Sequence, residues 1–243
     1  MIRNSTTYFL STLLIAGAFS VSQAATIALY DMDDGTSGTP ETTSFNVNPD
    51  AASTAANLTA STITYGGSTP GDFWRVSNAN TLVLSAGTGE FSSNVATALT
   101  NGAFAQLTLT VDPGYELDLN SVSFLVGKGG DSGTRNWGVA SSLSGSTLLA
   151  SVTDNTTPEF SATPLNPTID LTESGFGDGT FQNITGSVTF QFIAATDDTF
   201  RTMVYDDIEF DGTVTVIPEP STLGVMGLAF GLFAMLYRRS RRS

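Results

Sequence analysis

Of 243 residues, 23 are acidic and nine basic, and the chain contains neither cysteine nor histidine. No disulfide framework can support it, a Ser-His-Asp triad or Cys-His pair is impossible, and histidine-ligated zinc is excluded. A formal net charge of −14 argues against nucleic acid as a partner, because phosphate binding depends on clustered Lys and Arg.

Residues 1–24 have the order of a secretory signal peptide. Arg3 lies in a short polar start, Tyr8 to Phe19 form an apolar stretch, and Ser22-Gln23-Ala24 supply small residues for cleavage after Ala24. The alternative is an N-terminal anchor, but an apolar run of about a dozen residues is short against the roughly 20 that cross a bilayer. Residues 25–216 form the expected folded body. It carries 22 of the acidic residues and only Arg75, Lys128, Arg135 and Arg201 as bases, a formal charge of −18. Such a surface suits divalent cations and equally suits simple solubility.

Within the body, short strands are predicted at Thr26 to Met32, Thr62 to Tyr65, Phe73 to Ser77 and Thr81 to Ser85, with Thr36 to Ala60 as a long surface excursion. Ala105, Leu107, Leu109 and Val111 then alternate with polar neighbours, the period-two signal of a half-buried strand. Asp112-Pro113-Gly114 supplies a turn, after which Tyr115, Leu117, Leu119, Val122, Phe124 and Val126 resume the pattern. Arg135 to Ala140, Leu148 to Val152 and Val188 to Ala194 continue it, and no part of the body shows a helical period. Many short strands separated by turn residues predict an all-β, antiparallel two-sheet sandwich, specifically a jelly roll.

The last predicted strand, Val204 to Gly212, is acidic. Its even positions place Asp206 in phase with Val204, Ile208 and Phe210, and an inward carboxylate requires a partner or a metal. The alternative is that Asp206 lies at a strand end, solvated or paired with Arg201.

After Ile217 come Pro218-Glu219-Pro220, an uncharged apolar segment from Ser221 to Tyr237, and Arg238, Arg239, Arg241 and Arg242. The two prolines cannot join a regular helix or central strand, so the tripeptide reads as an extended joint. The segment after it is apolar on every side and reads as a transmembrane helix, 221–237, with the arginines of 238–243 kept in the cytoplasm. Residues 217–243 closely resemble the PEP-CTERM sorting signal of Gram-negative bacteria. That resemblance implies recognition of Pro218, Glu219 and Pro220, with Arg238, Arg239, Arg241 and Arg242, by an exosortase. It also implies anchoring in the inner membrane with the body in the periplasm, then a place at the cell surface or in the extracellular matrix. A link to exopolysaccharide and biofilm follows from the same resemblance.

The acidic end of the first strand and the Asp-Asp of the last are similar to carbohydrate-binding jelly-roll modules that hold a structural calcium. Asp31, Asp33, Asp206 and Asp207 are the ligands so implied. Sugar binding by the body would use exposed aromatic faces, for which Trp74, Tyr115 and Trp137 are the candidates, with Tyr65 a fourth and core packing the competing role for each. The glycine-rich loop Gly127 to Asn136 could add polar groups. A carboxylate-based glycosidase is the third reading, since Asp207, Glu209 and Asp211 share a strand face. The run lacks the Glu-x-Asp-x-x-Glu arrangement of laminarinase-type sandwiches, so the expectation is a non-enzymatic structural or adhesive protein.

Overall fold

Alternating apolar residues dictate the architecture, because each strand can bury only one face. The computed structural model describes residues 25–32, 54–67, 75–76, 81–130, 133–145, 147–172, 176 and 179–217. Two antiparallel sheets of six strands each face one another. The first sheet holds β1 (Ala25–Tyr30), β4 (Arg75–Val76), β5 (Leu82–Ser85), β7 (Tyr115–Lys128), β10 (Thr168–Asp170) and β12 (Thr202–Val216). The second holds β2 (Leu58–Ala60), β3 (Thr64–Tyr65), β6 (Phe104–Val111), β8 (Arg135–Ser141), β9 (Leu148–Val152) and β11 (Ser187–Thr196). From β5 onward the chain crosses between sheets at every step except β8 to β9, which pair as neighbours, giving the orders β5-β12-β7-β10 and β6-β11-β8-β9.

The turn at Asp112 carries the chain from one sheet to the other. Pro113 fixes its second position and Gly114, at φ 88°, accepts the left-handed third position, while Tyr115 N–H donates to the Asp112 carbonyl over 3.1 Å. Between the sheets, the inward faces of β6, β7, β11 and β12 interlock. Phe124 stands edge-on to Trp137 and Phe192 at 5.5 and 5.4 Å between ring centres, and Phe190 lies 4.9 Å from Phe210. Aromatic contacts of this kind add about 0.5–1.5 kcal/mol each beyond the area they bury.

Two irregularities shape the long β12–β7 pair. Asp206 pairs with Leu125 and Glu209 with Ser123, so Asp207 and Ile208 together oppose Phe124. This is a β-bulge, and Asp207 adopts φ 46° within it. The second shift lies between Asp211 and Gly212, where Asn120 is the extra residue on β7.

A short helix departs from the sequence expectation. α1 (Val95–Asn101) is capped by the Asn94 side chain, which accepts from Thr97 N–H over 3.0 Å. It ends at left-handed Gly102, whose N–H donates to Leu99, while Ala103 N–H donates to Ala98. Val95 and Ala98 are its buried residues. They pack on the outer face of the second sheet with Phe104, Ala140, Ile193 and Ala195 in a small second core. Two turns are too few for a helical period to emerge from sequence.

Candidate functional site

The junction with the C-terminal segment is formed by the end of β12. Val216 pairs with Tyr115, and Ile217 N–H donates to the Gly114 carbonyl over 2.9 Å. Pro218, Glu219 and Pro220, the predicted helix 221–237 and Arg238, Arg239, Arg241 and Arg242 lie outside the described residues, as do the signal-peptide residues 1–24. Among the described residues no helix is long and apolar enough to cross a membrane. Ala25 pairs with Gly212, so the chain enters β1 at the same end of the sandwich from which it leaves β12.

The acidic residues are distributed as follows. β1 pairs with β12 and Tyr30 faces Ile208, which brings Asp31 to the part of β12 that holds Asp206 and Asp207. Asp33 lies outside the described residues, and among those described no three His, Cys, Asp or Glu side chains converge into a metal-binding group.

The expected inward phase of Asp206 requires a correction. Met203 and Tyr205 are the buried inward pair before the bulge and Ile208 and Phe210 the inward pair after it, so Asp206 is left on the outer face. The extra residue switches the phase, and strict alternation from Ile208 back to Asp206 fails. Asp207 is exposed and its N–H donates to the Asp206 carboxylate over 3.0 Å. Glu209 accepts from the Thr26 hydroxyl, Asp211 from the Ser121 hydroxyl over 3.4 Å, and Arg201 pairs with Asp197 at 3.9 Å.

Of the aromatic candidates, Trp74 lies outside the described residues. Trp137 is only 4% exposed and belongs to the core, and Tyr115 is half-buried against that core. Trp137 therefore presents no open ring face. Tyr65 is buried, donating to Glu90 and accepting from Gly87 N–H.

What does form an open site is a cleft of about 510 Å³ on the outer face of the first sheet. Asp206, Lys128 and Gly129-Gly130 line it together with Glu159 and Phe160. Asp206 and the glycine-rich loop, separate in sequence, thus meet in one place. Gly127 allows this, because a side-chain carbon there would lie 2.6 Å from the Phe160 backbone. Glu159 and Phe160 escaped sequence reading because they sit in an irregular segment with no periodic signal. Lys128, Arg135 and Arg201 all lie at this end of the sandwich, opposite the junction. At about 3.3 Å per strand residue, Asp206 stands about 33 Å from Val216 along β12.

Two exposed carboxylates, Asp154 and Asp170, are held below the usual carboxylate range by hydrogen bonds first from the hydroxyls and then from the N–H groups of Thr156 and Thr172. These are local Asx turns. Against known proteins, one family model matches, described as a PEP-CTERM protein-sorting motif and covering residues 216–242. No curated protein and no solved structure matches the chain.

Proposed function

We propose, for a chain that carries the PEP-CTERM protein-sorting motif and is on that ground an exported exosortase substrate, that the body is a jelly-roll module of the cell surface or extracellular matrix. Its role is structural or adhesive, linked to exopolysaccharide and biofilm. The observation that carries this reading is the unbroken passage from fold to motif: the hydrogen bond of Ile217 to Gly114 is followed at once by Pro218. The motif therefore holds the sandwich by one end and leaves the other free. Before processing, the apolar segment anchors the chain in the inner membrane, arginines inside and body in the periplasm.

The jelly-roll assignment is supported by the strand orders β5-β12-β7-β10 and β6-β11-β8-β9, in which the eight strands cross between sheets at every step except the β8–β9 hairpin, as two interleaved Greek keys. A second reading, a carbohydrate-binding module, is favoured by the cleft at the free end, where Phe160 adjoins Asp206, Glu159 and Lys128. Neither reading includes catalysis. The β1–β12 pairing also favours a calcium ion shared by Asp31, Asp33, Asp206 and Asp207. A melting temperature that does not rise at saturating calcium removes that ion from the proposal.

Deletion of the protein tests the main reading, with loss of cell aggregation expected and unaltered aggregation against it. Retention of one neutral sugar class, lost in Phe160→Ala, would establish the module reading. Glucan hydrolysis that vanished in Glu209→Gln would overturn the non-enzymatic assignment.

A further inference from the structure

Attachment of a glycan to asparagine follows a local rule, Asn-x-Ser/Thr with any residue but proline between, because the modifying enzyme has to hold both the carboxamide and the hydroxyl two residues on. Three such triplets fall within the body: Asn57-Leu58-Thr59, Asn155-Thr156-Thr157 and Asn183-Ile184-Thr185. Asn166-Pro167-Thr168 is barred by its proline. The triplet alone arises readily by chance in a chain rich in Asn, Ser and Thr, so burial and hydrogen bonding have to sort the three.

All three asparagines stand at left-handed turn positions, with φ of 62°, 59° and 55° in chain order, a conformation Asn tolerates. Their surroundings differ. Asn155 is locked, its side-chain oxygen accepting from Arg135 N–H over 3.0 Å, and Thr157 is only 1% exposed, so its hydroxyl is out of an enzyme's reach. Asn57 is half-buried, and its carbonyl accepts from Asp112 N–H over 3.0 Å. Asn183 and Thr185 are both exposed, on either side of the buried Ile184. The backbone there is fixed rather than the side chains. Asn183 N–H donates to the Asp118 carboxylate over 2.7 Å, and Ile184 exchanges two hydrogen bonds of 3.0 Å with Leu117. Neither the Asn183 carboxamide nor the Thr185 hydroxyl makes a hydrogen bond among the described residues.

We infer that Asn183 carries a covalently attached oligosaccharide, transferred after export from a polyprenyl-pyrophosphate-linked donor by a membrane oligosaccharyltransferase. The Asn183 amide nitrogen attacks the anomeric carbon of the first sugar. A C–N bond forms, the C–O bond to pyrophosphate breaks with its electron pair leaving on the pyrophosphate, and the amide proton passes to a base of the transferase. The place in the fold suits a reaction at the membrane face. Ile184 pairs with Leu117, which lies two residues, about 7 Å, along β7 from the Tyr115–Val216 rung where the chain leaves the sandwich. The glycan therefore projects beside the junction with the sorting motif, and the cleft at the opposite end stays uncovered. This inference takes from the sorting motif only that the chain is exported.

The test purifies the full chain from its own host in a mild non-ionic detergent, denatures it, and locates sugar mass on its peptides by mass spectrometry with fragmentation that keeps the glycan attached. The peptide holding Asn183 carries the added mass. Thr185→Val removes a hydroxyl from an exposed position, so the variant melts like the wild type and its peptide is bare, whereas Thr157→Val leaves the glycan in place. A bare Asn183 in the wild-type chain, a glycan on Asn155 instead, or a glycan that survives Thr185→Val each overturns the inference. So does sugar that is lost on denaturation, since that is adhering polysaccharide. Should Thr185→Val fail to melt cooperatively, Asn183→Asp keeps a residue at ease at φ 55° and removes the acceptor nitrogen. Its mass falls by the whole glycan if the site is right and stays at the wild-type value if it is wrong. A bare Asn183 leaves the aggregation phenotype standing, whereas a glycan there without that phenotype retains the site and removes the matrix role.

Discussion

Tyr30 and Tyr205 are fully buried, yet each hydroxyl is satisfied, donating to the Ser61 and Ile193 carbonyls over 2.7 Å. Burial pushes both phenols far above their ordinary range, and Tyr65 rises likewise through burial and its contact with Glu90. The sign follows from linkage. The folded state keeps these protons more tightly than the unfolded state, so their stabilisation is complete below about pH 10, the unfolded value, and is lost as pH rises above it. Phenolate absorbance from these three residues is therefore expected to appear together with loss of the β-sheet circular dichroism in an alkaline titration. Ionisation of all three in a chain that retained its sheets would refute the burial argument.

At the scale of the element, the Asp206–Asp207 bulge re-aims β12. Asp207 at φ 46° sits where Asn and Gly are at ease and β-branched residues are not. Asp207→Asn and Asp207→Val remove the same charge, so their difference isolates the backbone: the valine variant should be less stable in urea by about 1–2 kcal/mol. Equal stabilities would mean that the bulge relaxes. This bulge also explains what was legible beforehand. The second phase change was written in the sequence, since Leu119 and Val122 are three apart where alternation needs two. The first was hidden, because Met203, Val204 and Tyr205 are all apolar and satisfy either phase. Long alternating strands such as β6, and β11 as far as Ala195, were readable for the opposite reason, their polar residues being confined to one phase. Of the sites, the sorting motif was local and legible. The cleft at the free end was not, since Phe160 and Asp206 come to line it together only through pairings distant in the chain.

For the whole molecule, the decisive relation is the overlap between fold and address. The matched motif begins at Val216, but Val216 still pairs with Tyr115 and Ile217 still donates to Gly114. The described ladder runs to the end of β12, where Gly212 to Val216 pair with Leu119 to Tyr115, and Val214 packs against the core. A chain ending at Ile217 should consequently melt at the full-length temperature while moving from the envelope fraction to the soluble periplasm. A chain ending at Asp211 loses that ladder and the Ala25–Gly212 pair as well. At about 1 kcal/mol net for each hydrogen bond, several kcal/mol disappear from a total of about 5–15, enough to lower the melting temperature by many degrees. The contrast is what carries weight. If both truncations melted alike, β12 would not be closing the sandwich at this end; if the chain ending at Ile217 stayed in the envelope, something other than the C-terminal segment would be holding it there.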